Sequence, residues 1–213
     1  MFDIILFDLD GTLTDSGKGI TNSVAYALTK FGLKFESKES LRCFIGPPLI
    51  RSFVSNFGVT EEDGRRLVAL YREYYSVEGI FENDVYRGIP ALLEDLTKKG
   101  KKLVLATSKP EHYAEKILAH FDLAKYFSVV AGATMDEKRT EKDDVIRYAI
   151  EKAEINDVSK AVMIGDREYD VLGAKKFQMA SIGVLYGYGS REELTLAGAD
   201  HIAETVEDIA KFI

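Results

Sequence analysis

Short runs of apolar residues alternate with helix-like patterns along most of the chain, and this alternation limits the possible folds. A continuous apolar run is typical of a parallel strand that is buried on both faces. Five such runs are present: Ile4–Phe7, Leu103–Ala106, Phe127–Ala131, Ala161–Ile164 and Ser181–Leu185. Amphipathic helical spacing lies between the later runs, as at Val145, Ile146 and Ala149. We therefore predict an α/β fold with a doubly wound parallel sheet.

The alternation of strand and helix is interrupted once, after the first run. Between residues 15 and 82 the apolar residues follow helical spacing only, in one stripe from Ile20 to Phe31 and another from Leu67 to Tyr75. A helical block inserted at this point is interpreted as a cap over the sheet. The predicted domains are an α/β core of residues 1–14 and 83–213 and a small all-helical cap of residues 15–82.

Local signals add detail to this plan. Thr60, three residues before Asp63, is a predicted N-cap. Ser190 and Glu193 have the spacing of a capping box at the start of a short helix. Cys43 is the single cysteine, so an internal disulfide is excluded. It lies in the cap with no paired His motif nearby, and we interpret it as a buried, inert thiol.

Two aspartates stand directly after the first apolar run, in the sequence Asp8-Leu-Asp10-Gly11. Ligands of open parallel sheets bind outside the carboxyl ends of the strands. Residues i and i+2 of an extended segment point to the same side, so both carboxylates can face one substrate. Gly11 permits the turn that follows.

A second acidic cluster follows the fourth apolar run, in Gly165-Asp166-Arg-Glu-Tyr-Asp170. If the two strands are neighbours, Asp166 projects into the same crevice as Asp8. Asp170, four residues on, falls on the same side if a helix has begun. Carboxylates packed this closely repel one another, and a magnesium ion together with a substrate phosphate relieves that repulsion. The pattern predicts a Mg²⁺ site.

Donors for a phosphate are found elsewhere in the chain. Thr107 ends the second apolar run and Ser108 follows it, so their hydroxyls and the next helix N-terminus can hold phosphate oxygens. Lys142, before a predicted helix, can place a positive charge in the crevice. Taken singly, each of these residues is an ordinary turn or surface residue.

Charge and hydropathy exclude other partners. The net charge of −7 provides no excess of Lys and Arg to neutralise a nucleic-acid backbone or an anionic membrane. No apolar run approaches the roughly 20 residues needed to span a bilayer, and the N-terminal residues lack the basic region of a signal peptide. We expect a cytoplasmic protein that acts on a small molecule. The sequence leaves its oligomeric state open, and a monomer is compatible with it.

The motifs together resemble those of the haloacid dehalogenase superfamily, in its phosphoglycolate-phosphatase-like branch with an inserted helical cap. In chain order they are Asp8-Leu-Asp10-Gly-Thr-Leu13, Thr107, a lysine between positions 138 and 142 assigned to Lys142, and Gly165–Asp170. The resemblance covers the whole chain. It implies a Rossmann-like core and a magnesium-dependent phosphatase that hydrolyses a small phosphate monoester through an aspartyl-phosphate.

The resemblance also implies roles for the acids. Asp8 is the nucleophile and a metal ligand. Asp10 is the general acid and then the general base, and its backbone carbonyl contacts the metal. Asp166 is the second metal carboxylate.

The remaining roles are implied in the same way. Thr107 and Lys142 hold the transferring phosphoryl group, and Asp170 supports the metal shell or binds Lys142. In the cap, Lys18 and Arg51 are candidates for contacting a second anionic group of the substrate, and the Gly46-Pro47-Pro48 loop is a candidate for entering the site.

Several functional alternatives stay open. The candidate substrates are phosphoglycolate, nucleoside 5′-monophosphates, pyrophosphate and phosphotyrosine. A sugar phosphomutase of the same superfamily also uses the pair of Asp8 and Asp10. A catalytically silent phospho-ligand-binding protein would be expected to lack one of these acids, and both are present.

Overall fold

The computed structural model describes residues 2–136 and 138–213. The chain divides into two compact units. The core unit comprises the chain up to Asp15 and from Val85 onwards, and the helical unit comprises Ser16–Asp84. Among the described residues, no helix combines the length and the apolar character needed to cross a membrane.

The strands are numbered in chain order. They are β1 (Ile4–Phe7), β2 (Thr14–Asp15), β3 (Asp84–Val85), β4 (Lys102–Pro110), β5 (Val129–Ala133), β6 (Ala161–Gly165), β7 (Ala180–Val184) and β8 (His201–Ala203). Six of them form one parallel sheet in the order β5-β4-β1-β6-β7-β8. The short strands β2 and β3 pair with each other. The doubly wound parallel sheet predicted from the sequence is confirmed, with one further strand, β8, at its edge.

The α-helices are also numbered in chain order. They are α1 (Gly17–Phe31), α2 (Leu49–Phe57), α3 (Glu61–Tyr74), α4 (Ile89–Lys98), α5 (Glu111–His120), α6 (Lys142–Lys152), α7 (Glu168–Lys176), α8 (Arg191–Ala197) and α9 (Val206–Ile209). A π-helical turn, Tyr75–Gly79, continues α3. Shorter 3₁₀ turns lie at Glu39–Phe44, Ala124–Tyr126 and Val158–Lys160.

The core of the sheet explains the continuous apolar runs. Leu6 of β1 lies opposite Val104 of β4 and Met163 of β6. These side chains are fully buried in one cluster with Val145 and Ile146 of α6. Since burying a side chain of this size stabilises a protein by roughly 1.5–3 kcal/mol, the cluster fixes α6 against the centre of the sheet.

The helical unit contains α1, α2 and α3, and α1 packs closely against the turn that follows α3. A Cβ atom on Gly19 would lie 1.9 Å from the carbonyl oxygen of Gly79, so only glycine permits this approach. Thr60 caps α3 as predicted, because its hydroxyl accepts a hydrogen bond from the Asp63 N–H at 3.1 Å. The prediction of a buried Cys43 was wrong: Cys43 is exposed, within the 3₁₀ turn Glu39–Phe44.

Candidate active site

Three of the predicted site residues lie towards the carboxyl ends of three neighbouring strands. β4, β1 and β6 are neighbours, so Thr107, Asp8 and Asp166 come to the same edge of the sheet. The N–H of Asp8 donates to the Ile164 carbonyl at 2.9 Å, which extends the β1–β6 ladder to the aspartate itself. The apolar run anchors the backbone, and the polar residue after it is placed at the edge.

The turn after Asp8 is shaped around Asp166. Gly11 has a φ of +85°, and a Cβ atom there would lie 2.2 Å from Asp166 Oδ2. The Thr12 hydroxyl donates to Asp166 Oδ1 at 3.4 Å. A glycine is therefore required at position 11 both for the backbone conformation and for the approach of a carboxylate.

Asp8, Asp166 and Asp170 form one buried acidic group. Each offers an oxygen, and these oxygens lie within 4.8 Å of one another. Gly165 makes the group possible, because a Cβ atom there would lie 2.1 Å from Asp170 Cγ. Asp170 is also fixed by the start of α7, where its Oδ2 accepts the Arg167 N–H at 3.1 Å.

Lys142 is inserted into this acidic group. Its Nζ lies 2.8 Å from Asp8 Oδ1 and 2.7 Å from Asp170 Oδ1, and it donates to the Ala106 carbonyl at 3.1 Å. The side chain of Lys142 is 5% exposed, whereas that of Lys138 is 84% exposed. Of the two lysines that the sequence left open, the structure brings Lys142 to the acids.

Burial and charge act against each other on these groups. Burial lowers the pKa of Lys142, but the charges of Asp170 and Asp8 outweigh burial and hold that pKa above its ordinary value. Burial, together with the charges of Asp170 and Asp8, raises the pKa of Asp166 well above the usual carboxyl range. Burial also raises the pKa of Asp170, to about 6, although Lys142 opposes the shift.

The acidic group fits a magnesium ion. One lysine does not neutralise three buried carboxylates, and the pKa of Asp166 is raised by burial first and by the charges of Asp170 and Asp8 second. A hard divalent cation with oxygen ligands offsets repulsion of this kind. The resemblance assigned only the backbone carbonyl of Asp10 to the metal. The carboxylate of Asp10 contacts Lys109 instead of joining the acidic group.

The carboxylate of Asp10 pairs with Lys109, a residue that the sequence analysis missed. Lys109 Nζ lies 2.7 Å from Asp10 Oδ2. The Lys109 N–H donates to Thr107 Oγ1 at 3.2 Å, so the hydroxyl of the buried Thr107 is already fixed. Ser108, between them, is half-buried. Lys109 stands two residues after Thr107 in β4, but the register of β4 is interrupted there, so this spacing alone did not single Lys109 out.

The loop after β7 also contacts the site. The Tyr188 N–H donates to Asp166 Oδ2 at 2.8 Å, and the Tyr188 hydroxyl donates to Asp15 Oδ1 at 2.6 Å. A Cβ atom on Gly187 would lie 2.3 Å from the Gly11 carbonyl and 2.4 Å from Asp166 Cβ. This loop therefore holds the Asp166 carboxylate by a backbone hydrogen bond and by close packing.

One capping prediction was half wrong. Ser190 Oγ accepts the Glu193 N–H at 3.1 Å, as a capping box requires. The carboxylate of Glu193, however, pairs with the Arg167 guanidinium at 2.8 Å and accepts the Glu168 N–H at 2.9 Å. Glu193 therefore stabilises the turn between Asp166 and α7 instead of its own helix, because that turn offers both a cation and a free N–H.

The cap residues proposed from the resemblance lie in the helical unit. Lys18 and Arg51 have exposed side chains. Gly46 adopts a φ of +105° in the turn before α2. Their contact with a substrate stays a prediction.

Known proteins are similar to this chain in sequence and in fold. The profile of the haloacid dehalogenase-like hydrolases matches residues 5–184. A Pseudomonas aeruginosa protein named 5′-nucleotidase is 44% identical over 190 residues, which are 89% of this chain and 86% of that protein. A Mycobacterium tuberculosis protein named tyrosine-protein kinase PtkA is 38% identical over 187 residues, which are 87% of this chain and 63% of that protein.

A solved structure of a related protein has the same fold. The crystal structure of a predicted phosphatase from Clostridium acetobutylicum superposes with a TM-score of 0.96 at 50% identity, and covers 100% of this chain and 98% of that one. The fold, the acidic edge of the sheet and these relatives define a phosphatase, a hydrolase of phosphoric monoesters. The chain belongs to the haloacid dehalogenase-like hydrolase family.

Proposed function

We propose that this phosphatase is magnesium-dependent and hydrolyses a small phosphate monoester through an aspartyl-phosphate on Asp8. The observation that carries the proposal is the position of Lys142 between Asp8 and Asp170, with Asp166 beside them. A nucleophilic carboxylate held by an ammonium at the end of a buried strand is suited to attack on phosphorus, because the ammonium also attracts the phosphoryl oxygens.

In the first step, the Asp8 carboxylate attacks phosphorus and the bond from phosphorus to the ester oxygen breaks. Asp10 gives a proton to the departing oxygen, so the product leaves as an alcohol. In the second step, Asp10 removes a proton from water, whose oxygen attacks the phosphorus of the aspartyl-phosphate. The bond to Asp8 breaks, phosphate leaves, and both aspartates return to their starting forms.

The other residues hold the groups that react. Lys142 and the Thr107 hydroxyl would bind oxygens of the transferring phosphoryl group. Asp8 and Asp166, with support from Asp170, would hold Mg²⁺, which supplies positive charge that offsets the repulsion between carboxylates and phosphate.

The substrate is proposed to be a small ester. The 44% identity with a protein named 5′-nucleotidase supports nucleoside 5′-monophosphates as the first substrates to test. The relative named as a tyrosine kinase keeps phosphotyrosine among the candidates. Phosphoglycolate and pyrophosphate complete the panel.

The proposal is tested by Asp8→Asn, with Asp3→Asn as the matched control. Asp3 lies just before β1, at the other end of the strand, and its side chain is 61% exposed. We expect Mg²⁺-dependent phosphate release from the panel for the native chain and for Asp3→Asn, and a loss of at least about 10³-fold for Asp8→Asn, since the nucleophile is removed. Acid-quenched native enzyme should retain phosphate that hydroxylamine releases.

Three results would contradict the proposal. Near-native turnover by Asp8→Asn would remove this residue as the nucleophile. Full activity after chelation of divalent ions would remove the metal. Conversion of one sugar phosphate into another without release of phosphate would instead identify a phosphomutase.

A further inference from the structure

Lys109 is paired with Asp10 and largely removed from solvent, yet the proposed reaction steps use only Asp10. Their side chains are 5% and 12% exposed, and Lys109 Nζ lies 2.7 Å from Asp10 Oδ2. Withdrawing an ammonium from water is costly, so lysines are seldom buried without a charged partner. At this position, the partner is the general acid of the proposed reaction.

The backbone of β4 is irregular where it delivers Lys109. The register with β5 runs regularly to the pair of Thr107 and Gly132 and resumes at Pro110, so Ser108 and Lys109 have no opposite residue in β5. Insertions of this kind bend a strand, redirect its side chains and are common beside active sites.

The irregularity is built into both strands. A Cβ atom on Gly132 would lie 2.6 Å from the Glu111 Cα and 2.8 Å from the Lys109 carbonyl. The hydrogen bond from the Lys109 N–H to Thr107 Oγ1 closes the extra turn of chain. The backbone at Lys109 is therefore fixed by contacts from both strands.

The two oxygens of Asp10 differ. Oδ2 is held by Lys109. Oδ1 is buried and has no hydrogen-bond partner among the described residues. A general acid is efficient only when the oxygen that carries the proton is directed at the leaving group.

We propose that Lys109 is a positioning residue that holds Oδ2 of Asp10, so that Oδ1 is the oxygen that exchanges the proton with the leaving group. This inference rests on the proposed function. Lys109 keeps its own protons throughout, and the bonds made and broken are those already described.

If Lys109 positions Asp10 in this way, the loss of kcat/KM on replacing Lys109 depends on the leaving group of the ester. Phenol is a weaker acid than p-nitrophenol, so departure of phenolate needs a proton from Asp10 much more than departure of p-nitrophenolate does. The ratio kcat/KM covers the steps up to release of this first product. Phenyl phosphate and p-nitrophenyl phosphate have nearly the same shape, so a difference between them reports on proton transfer.

The experiment measures kcat/KM for both esters in the native chain, Lys109→Met, Lys109→Arg, Asp10→Asn and the double variant Lys109→Met/Asp10→Asn. We expect Lys109→Met to lose about 100-fold on phenyl phosphate, within the usual range for general acid catalysis, and less than tenfold on p-nitrophenyl phosphate. Lys109→Arg should recover part of the loss. The double variant should be no slower than Asp10→Asn, because both changes remove the same action.

Lys102→Met is the matched control. Lys102 begins the same strand, at the end opposite to Thr107 and Lys109, and its ammonium donates to the Ala153 carbonyl. This variant should leave both ratios unchanged. Melting temperatures of all variants separate a loss of folded protein from a loss of proton transfer.

Each contrary result overturns the inference. Equal losses on both esters, with weaker inhibition by inorganic phosphate, would make Lys109 a phosphate ligand. Equal losses with a lower melting temperature would make the ion pair structural, and native ratios would give it no role. A failure of the proposed function is recognised separately, since Asp8→Asn would then retain turnover or the native chain would release no phosphate.

Discussion

Lys142 is the first residue of α6, where its charge faces the positive end of the helix macrodipole. It is retained there because Asp8 and Asp170 hold its ammonium at 2.8 and 2.7 Å. A Cβ atom on Gly173 would lie 3.0 Å from Lys142 Cγ, so α7 also leaves room for the stem of this lysine. The charge of Lys142 is unfavourable at the start of a helix, yet two acids hold it and a glycine leaves room for its stem. This arrangement indicates that the charge serves a function.

We expect Lys142→Met to lose at least about 100-fold in kcat/KM, because the phosphoryl group and Asp8 lose their common cation. Removing one partner of a buried pair also costs about 3–5 kcal/mol in the free energy of unfolding. Lys138→Met is the control, since Lys138 pairs with Asp136 at the surface. Phosphate release and urea unfolding measure the two effects, and an equal loss of activity in Lys138→Met would contradict the assignment.

Individual residues were predictable to different degrees. Asp8 and Asp166 follow apolar runs, so their place at the edge of the sheet follows from the strand pattern. Lys109 has no such signal, because the irregularity in β4 that redirects it depends on Gly132 in a different strand. Cys43 was placed inside because cysteine is usually buried, a tendency that does not decide a single position.

The loop from Tyr186 to Ser190 is the element that completes the site around Asp166. Its glycines lie against the backbone of the turn they cover: a Cβ atom on Gly189 would lie 1.9 Å from the Asp166 carbonyl. The Tyr186 hydroxyl donates to the Thr12 carbonyl at 3.0 Å, which attaches the loop to the turn after Asp8. The loop therefore depends on two other turns for its shape.

We expect Gly187→Ala to displace Asp166, because the added Cβ atom would meet backbone and side chain at 2.3 and 2.4 Å. The Mg²⁺ concentration for half-maximal activity should rise at least tenfold, and the free energy of unfolding should fall by about 1–3 kcal/mol, as is usual for overpacking. Gly64→Ala is the control, because a Cβ atom there would be 3.3 Å from the tip of Ile50. A magnesium titration that Gly187→Ala leaves unchanged would contradict this role for the loop.

The sequence predicts the helices and strands better than it predicts the contacts that loops and caps make with other elements. The five apolar runs all became strands, since each has enough buried residues to show its pattern. β8 was missed because it has three residues, of which His201 is exposed. The bond from the Tyr188 N–H to Asp166 was unpredictable because a backbone donor has no signature in the sequence. Glu193 was assigned to its own helix because the Glu168 N–H, which it accepts instead, is likewise a backbone donor without a signature in the sequence.

For the whole molecule, we expect the acidic group to link the proposed metal binding to stability. The pKa of Asp166 lies well above its ordinary value because of burial first and the neighbouring acids second. A raised carboxyl pKa means that the folded state favours the protonated acid. The contribution of this group to stability is present below the ordinary pKa and is lost as the pH rises through the raised pKa. At any pH above the raised pKa, the metal-free core unit therefore bears the cost of a charged Asp166 that is buried beside two other acids.

Mg²⁺ should remove that cost by binding the folded state. At 100 times its dissociation constant, a ligand adds about 2.7 kcal/mol to the free energy of unfolding, which corresponds to roughly 5–10 °C in Tm for a unit of this size. The chain has no tryptophan, so calorimetry is the suitable measurement. It also resolves whether the helical unit melts separately, in which case only the transition of the core unit should move.

Asp166→Asn separates the effect of the Asp166 charge on the metal-free protein from the effect of Mg²⁺ binding on stability. The amide can still accept the Tyr188 N–H, but it carries no charge, so the metal-free variant should melt at or above the temperature of the native chain. Mg²⁺ should then shift its Tm by less than about 1 °C, since one of the two metal carboxylates is gone. If Mg²⁺ stabilises Asp166→Asn as strongly as the native chain, the ion binds elsewhere and the acidic group is not its site.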